Sequence, residues 1–125
     1  MNVAGRIESY CLTDGPRHVL VLRQQDIRWL TGFTGGTSQL VVDRENCSGV
    51  LLVDGRYFAR AQHEIEQSEA AVEVVCIDSE RTALDVYASL GISSLGTHPR
   101  YITAEHVRML AESVQLVDEG DYLDE

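Results

Sequence analysis

A chain of 125 residues, 44% of them hydrophobic and 24% charged, has the length and composition of one globular domain. Its formal net charge of −10 disfavours nucleic acid as a partner, because such binding depends on cationic groups that displace counterions. All ten basic residues are arginine, so the sequence lacks the lysine that a phosphate-binding Walker loop or a Schiff base requires.

The sequence shows no sign of a membrane segment, a secretion signal or a zinc site. No apolar run approaches the roughly 20 residues that span a bilayer, and the start lacks a charged-then-apolar signal pattern. We therefore expect no membrane partner and a cytoplasmic location. In that compartment Cys11, Cys47 and Cys76 are predicted to be free thiols, with Cys76 a small core residue in an apolar run. The four histidines have no metal-ligand spacing, which argues against zinc.

The first third of the chain predicts a helix, a strand and a helical turn. Apolar residues recur at helical spacing over 3–11, which indicates an amphipathic helix that Asp-Gly-Pro at 14–16 ends. The apolar run at 18–22 predicts a strand that is buried on both faces. Asp26 is predicted to cap a single helical turn over 26–30.

The rest of the chain predicts a hairpin followed by alternating helices and strands. Strands at 39–42 and 49–53 are joined by a short polar link, as an antiparallel hairpin requires. Ser79 is predicted to cap the helix that carries Leu84 and Leu90. The other predicted elements are, in chain order, a helix at 57–65, strands at 72–77 and 92–95, a helix at 103–112 and a strand at 114–117. This order implies a three-layer α/β/α domain with a mixed sheet of five to six strands.

The last residues of the chain are strongly acidic. Asp118, Glu119, Asp121, Asp124 and Glu125 crowd the final eight positions. We interpret residues 1–117 as the domain and 118–125 as a solvated acidic linker.

Two short motifs each join an apolar stretch to a glycine-bearing turn with polar or aromatic groups. They are DIRWLTGFTGG at 26–36 and LVDGRYF at 52–58. Together they resemble the paired signatures N-I-x-Y-L-T-G-F-x-G and L-x-T-D-x-R-Y of the N-terminal domain in the creatinase/aminopeptidase P/prolidase family. The resemblance implies a creatinase/prolidase-type N-terminal fold with a ribonuclease H-like motif. In that family this domain precedes a pita-bread metallopeptidase domain.

The resemblance also implies a function. The chain would be the non-catalytic N-terminal domain of a metal-dependent Xaa-Pro aminopeptidase or dipeptidase. The linker at 118–125 would lead to a C-terminal catalytic domain that the chain does not include and that holds two divalent ions, manganese, cobalt or zinc. No catalytic or metal-binding residue is assigned within the chain itself. Its role would be to form a homodimer and to close the substrate cleft over short proline-containing peptides.

The same resemblance implies contact residues in both motifs. In creatinase relatives the first region helps form an intersubunit surface, and it also reaches the partner subunit's active site in some members. The implied substrate or interface residues are Phe33, Thr34, Gly35, Gly36, Thr37, Arg56 and Tyr57. Gly36-Thr37 departs from the Ser-Asn or Ser-x-Gly of many relatives. Phe33 has a structural alternative, which is to fill the core of its own domain.

Other interpretations remain open at this stage. Metal-less pita-bread proteins, such as a histone-chaperone subunit, keep a related domain as a protein-binding module, and creatinase itself acts on a small amidine. Asp54 is predicted to accept hydrogen bonds from the amides that follow it, and Arg56 to pair with Asp54 or with another carboxylate. Asp43, Asp54 and Asp78 each follow a predicted strand, which would also suit a two-metal nuclease.

Overall fold

The computed structural model describes residues 5–12, 15–35, 38–92, 94–97 and 115–118. The elements are, in chain order, α1 (Arg6–Cys11), β1 (His18–Val21), α2 (Gln24–Thr31), β2 (Ser38–Asp43), β3 (Ser48–Val53), α3 (Phe58–Ser68), β4 (Val72–Cys76), α4 (Ala83–Ser89), β5 (Ser94–Thr97) and β6 (Gln115–Asp118). The predicted helix at 103–112, the predicted linker beyond Asp118 and the pair Gly36-Thr37 lie outside the described residues.

The six strands form one mixed sheet in the order β4-β3-β2-β1-β5-β6. β2 pairs antiparallel with β1 and with β3, whereas the pairs β3–β4, β1–β5 and β5–β6 are parallel. Within the described sheet, β2 is therefore the one strand that runs against the others. The end of the sheet where β2 begins and the other strands end is called the upper edge. The opposite end, which carries the β2–β3 hairpin turn, is called the lower edge.

Both faces of the sheet are covered, because successive residues of the inner strands enter opposite cores. Helices α1, α2 and α3 pack on one face, and α4 packs on the other. The first core contains Ile7, Tyr10, Val19, Val21, Ile27, Leu30, Phe33, Leu40, Val42, Leu51, Val53, Ala61 and Ile65. The second contains Leu20, Val41, Leu52, Ala83, Val86, Tyr87, Ile92 and Leu95. The predicted three-layer α/β/α architecture with a mixed sheet is confirmed.

The strand that was predicted at 72–77 lies at the margin of the sheet. β4 pairs with β3 alone among the described strands, and its apolar residues are only half-buried. Cys76 is likewise half-buried, so the prediction that it is a buried core residue is wrong. The apolar run at 74–77 indicated a strand but not its place in the sheet order.

Two helix starts also differ from the prediction. α2 begins at Gln24 with Arg23 as its N-cap, and Asp26 lies in the first turn instead of capping it. The Gln24 side chain explains the early start, since its amide donates to Leu22 O at 3.1 Å and to Ser38 O at 3.0 Å.

The N-cap of α4 is Thr82 and not Ser79. Asp78 accepts hydrogen bonds from the amides of Glu80 and Arg81, both at 2.8 Å, which ties residues 78–81 into a turn before the helix begins. Thr82 then forms a capping box with Asp85. None of the helices in the described part of the chain is long and apolar enough to cross a membrane.

Candidate functional site

The first motif ends α2 and turns the chain sharply into a loop at 32–35. Gly32 adopts a left-handed conformation with φ 84°, and its amide donates to Arg28 O at 2.8 Å. The Thr31 hydroxyl donates to Ile27 O at 2.7 Å and accepts from the Phe33 amide at 3.1 Å. The loop at 32–35 therefore leaves the helix with its backbone groups engaged.

The structure places Phe33 inside its own domain. Its side chain is 1% exposed, and its ring meets the Tyr57 ring edge-on with centroids 6.3 Å apart. Gly35 lies directly against this ring, because a Cβ built on Gly35 would stand 2.2 Å from Phe33 Cζ. The two motifs are thus in contact through Phe33 and Tyr57.

The neighbouring aromatic of the first motif behaves differently. Leu30 is fully buried, but Trp29 is 47% exposed. The Arg6 guanidinium lies 4.7 Å from the centre of the Trp29 ring, and its Nη1 donates to Trp29 O at 2.7 Å. Leu30 therefore belongs to the core, whereas Trp29 lies at the surface of the domain.

Thr34 is held by α3, which the sequence interpretation did not include. Its amide donates to Glu64 Oε1 at 3.0 Å, and its hydroxyl donates to Glu64 Oε2 at 2.8 Å. Arg60 Nη2 donates to the same hydroxyl, and Arg60 Nε lies 3.5 Å from Glu64 Oε1. We call Thr34, Arg60 and Glu64 the loop clasp. Arg60 and Glu64 stand four residues apart on one helix face, and that spacing was the available signal.

The loop clasp changes the acidity of Glu64. Partial burial would raise the pKa of this carboxyl, but hydrogen bonds from the Thr34 amide and hydroxyl, together with Arg60, outweigh it. The pKa of Glu64 therefore lies below its ordinary value of 4.5. Since the folded state binds this proton more weakly than the unfolded state, the stabilisation is present above the ordinary pKa and is lost as the pH falls through the lowered one.

We expect Glu64→Gln to lower the free energy of unfolding by about 1 kcal/mol at neutral pH, because the substitution removes charge-assisted hydrogen bonds. The difference from the parent protein should shrink towards zero as the pH falls through the lowered pKa of Glu64. Denaturant melts at a series of pH values, from neutral to below the lowered pKa of Glu64, measure this difference in the free energy of unfolding. Glu66→Gln, at an exposed position of the same helix, is the control. A Glu64→Gln deficit that persists unchanged at acid pH would contradict the ionised clasp.

The second motif forms a turn at the upper edge, where β3 ends. Asp54 Oδ1 accepts from the Arg56 amide at 2.9 Å, and Asp54 Oδ2 accepts from Arg56 Nη2 at 2.9 Å. These contacts, led by the Arg56 hydrogen bond, hold the pKa of Asp54 below its usual range. The predicted pairing is confirmed, although the turn precedes α3, whose N-cap is Tyr57. The Arg56 side chain is 75% exposed, and its guanidinium lies 5.4 Å from the centre of the Tyr57 ring.

The acidic strand ends do not form a nuclease centre. Asp54 and Asp78 follow parallel strands at the upper edge, whereas Asp43 ends β2 at the lower edge. Each carboxylate also accepts amide hydrogen bonds of its own turn. Among the residues that the structure describes, no group of three or more His, Cys, Asp or Glu could hold a metal ion.

A pocket of about 400 Å³ opens beside the loop clasp, between the ends of α2 and α3. It is lined by Arg28, Gly32, Thr34, His63, Glu64, Gln67 and Ser68. The Ser68 hydroxyl donates to Thr31 O at 2.7 Å and so joins the two helix ends beneath it. The exposed part of Thr34 and the pocket thus lie along α3, whereas the Arg56 side chain stands at the upper edge, where β3 ends and α3 follows. The turn that carries Arg56 is therefore at the carboxyl ends of the parallel strands, where open α/β sheets commonly bind ligands.

The sequence matches the model of a known domain family. The model of the creatinase/prolidase N-terminal domain family matches residues 7–125. A comparison with curated protein sequences finds no significant match.

Solved structures share the fold. The creatinase/prolidase-like N-terminal domain of a protein described as a metallopeptidase from Corynebacterium diphtheriae aligns with a TM-score of 0.77 and 20% identity, over 94% of this chain and 96% of that one. The N-terminal domain of the cytoplasmic peptidase PepQ from Mycobacterium tuberculosis aligns with a TM-score of 0.75 and 21% identity, over 95% and 93%. X-prolyl aminopeptidase from Caenorhabditis elegans, a cytosolic enzyme with a di-nuclear active site, aligns with a TM-score of 0.66 and 19% identity, over 90% of this chain and 21% of that one.

Proposed function

Because the chain belongs to the creatinase/prolidase N-terminal domain family, we propose that it is the non-catalytic N-terminal domain of a metal-dependent Xaa-Pro aminopeptidase or dipeptidase in the cytoplasm. Its first partner is a C-terminal catalytic domain, and its role is homodimer contact and closure of the cleft over short proline-containing peptides. The family match across nearly the whole chain is the observation that carries this proposal. The resemblance that the two motifs indicated is confirmed at the level of the family.

The catalytic metals are assigned to that partner domain. The described residues do not fit a metal pair, since their strand-end carboxylates are engaged in turns and are divided between two edges of the sheet. Two divalent ions, manganese, cobalt or zinc, would be held by the catalytic domain and would supply the attacking hydroxide there. No chemical step is assigned to them in this chain.

The turn that carries Arg56 and the loop clasp both support a role in contacting the partner subunit and the substrate cleft. Arg56 presents an exposed guanidinium beside an aromatic ring, and arginine and tyrosine are enriched among residues that dominate interface energies. Thr34 is exposed but its position is fixed by the loop clasp, so little side-chain entropy is lost when it meets a partner. We therefore propose Thr34, Arg56 and Tyr57 as the contact residues and Phe33 and Gly35 as their support. Gly36 and Thr37 remain proposed members of the same surface.

The assignment as an accessory domain is tested by activity. The purified 125-residue chain is expected to hydrolyse no Xaa-Pro peptide with added manganese, cobalt or zinc, whereas the protein that continues into the catalytic domain does so. The residues encoded after position 125 decide between the alternatives. A complete set of Asp, Asp, His, Glu and Glu ligands favours the peptidase, and its absence favours the protein-binding module. Proline-specific turnover by the chain alone, from a host lacking its own proline peptidases, would overturn the proposal.

The contact role has its own test in the protein that includes the catalytic domain. We expect Arg56→Ala to raise the Michaelis constant for short Xaa-Pro peptides several-fold or to weaken the dimer, with metal content unchanged. Arg81→Ala is the matched control, because Arg81 is also exposed but precedes α4 on the other face of the sheet. Kinetics, sedimentation and melting temperature, measured on both variants, distinguish effects on substrate binding, on dimerisation and on stability. Unchanged kinetics and dimerisation in Arg56→Ala would contradict the contact role and leave the family assignment intact.

A further inference from the structure

Two of the three cysteines meet at the lower edge of the sheet. Cys11 ends α1, and Cys47 lies in the turn between β2 and β3. Cys11 Sγ donates to Asp43 O at 3.6 Å, and Cys47 Sγ donates to Arg44 O at 3.7 Å. These acceptors are the carbonyl groups of consecutive residues, so the two sulfur atoms lie against adjoining peptide groups. Both are half-buried and free in this structure, as is Cys76.

The two cysteines lie on elements that other contacts hold in place, namely α1 and the β2–β3 hairpin turn. The Arg44 guanidinium lies 4.8 Å from the centre of the Tyr10 ring on α1, next to Cys11. In the turn, Asp43 Oδ1 accepts from the Glu45 amide at 2.9 Å, and Asp43 Oδ2 accepts from the Asn46 side chain at 3.0 Å. Cys47 itself has a left-handed backbone with φ 53°. The pairing of the thiols thus follows from the packing of α1 against the hairpin.

We propose that Cys11 and Cys47 are an oxidisable pair that forms an intramolecular disulfide, with a small-molecule disulfide such as oxidised glutathione as the oxidant. The bond would join two side chains that already contact consecutive carbonyl groups and that lie on packed elements. Cys76 ends β4 at the upper edge, at the opposite end of the strands from this pair, and has no part in the bond.

The disulfide would form by thiol–disulfide exchange, in two successive displacement steps. The Cys47 thiolate, its proton released to solvent, attacks one sulfur of the oxidant and displaces a small thiolate, which takes up a proton. Cys11 then loses its proton and attacks the Cys47 sulfur, and the second small thiol leaves. Two protein thiols are oxidised by two electrons, and one small disulfide is reduced to two thiols.

The surroundings set the order of attack. Burial, followed by the contact with Cys47, raises the pKa of the Cys11 thiol to about 12, while Arg44 acts in the opposite direction. Cys11 is therefore protonated at neutral pH and is a poor first nucleophile. Cys47 is the residue that attacks first, and Cys11 completes the bond from within the fold.

The bond would close a covalent loop that contains β1, α2 and β2. Such a link restricts the unfolded chain, and for a loop of this length we expect the melting temperature to rise by about 5–15 °C. The increase should disappear when dithiothreitol reduces the bond.

The test uses the whole chain, first fully reduced and then incubated with oxidised glutathione. Alkylation followed by mass spectrometry should show the number of reactive thiols falling from the three of the sequence to one, with a peptide that links Cys11 to Cys47. Cys76→Ser, the matched control, should retain the link and the increase in melting temperature. Cys47→Ser and Cys11→Ser should lose both, and their melting temperatures in the reduced state show that each variant is folded.

Three results would overturn the proposal. They are three reactive thiols in the oxidised parent chain, a stable mixed disulfide with glutathione that never closes, and a link that involves Cys76. None of these outcomes depends on the proposed peptidase role, because no peptide substrate or catalytic domain enters the experiment.

Discussion

Phe33→Ala is expected to lower the free energy of unfolding of the chain by about 3–5 kcal/mol. The ring is 1% exposed, packs edge-on against Tyr57 and is covered by the backbone of Gly35. Truncation removes its buried apolar surface and also leaves a cavity that the surrounding core fills only in part. The loss of the edge-on ring contact adds to this.

Denaturant melts of the chain measure the effect, and Trp29→Ala provides the comparison. Trp29 belongs to the same motif but is 47% exposed, so its removal should cost about 1 kcal/mol or less, mainly the contact with Arg6. A Phe33→Ala variant with unchanged unfolding, but with a weaker dimer in the protein that includes the catalytic domain, would show that the ring acts at an interface instead.

Leu51→Ala is expected to cost about 2–5 kcal/mol. Leu51 is fully buried in β3, where its register partners are Leu40 on β2 and Val74 on β4. Its side chain belongs to the core beneath α1, α2 and α3, so truncation opens a cavity with packed neighbours on every side.

The matched variant is Val74→Ala on the adjoining strand. Val74 is half-buried because β4 is one of the two outer strands of the described sheet, and its truncation should cost clearly less than that of Leu51. Equilibrium unfolding of both variants decides the matter. A Leu51→Ala loss below about 1 kcal/mol would contradict the central position of β3.

Much of the fold was predictable because apolar runs and turn residues act locally. The strands at 18–22, 39–42 and 49–53 are found close to their predicted bounds, since each run has neighbours on both faces. The order of strands was not predictable, because pairing between distant segments leaves no local pattern. That is why the segment at 72–77 could be identified as a strand but not as an outer one.

The candidate site was predictable only in part, for a similar reason. The motifs named Phe33 and Thr34 on one side and Arg56 and Tyr57 on the other, and the structure brings Phe33 and Tyr57 into contact. Glu64 was missed because a glutamate on an amphipathic helix usually faces solvent, and only the three-dimensional packing shows that it accepts two hydrogen bonds from Thr34. The helix starts were misplaced because Gln24 and Asp78 act through side-chain contacts.

The reversed direction of β2 divides the domain into two halves that can be altered separately. Its six residues extend over about 17–20 Å between the end that follows the first motif and the end that enters the hairpin turn with Cys47. Effects of substitutions at such a separation add with little interaction energy when they share no partners. A spectroscopic label or an immobilising tether placed on the hairpin turn would therefore leave the upper edge free to engage whatever it binds.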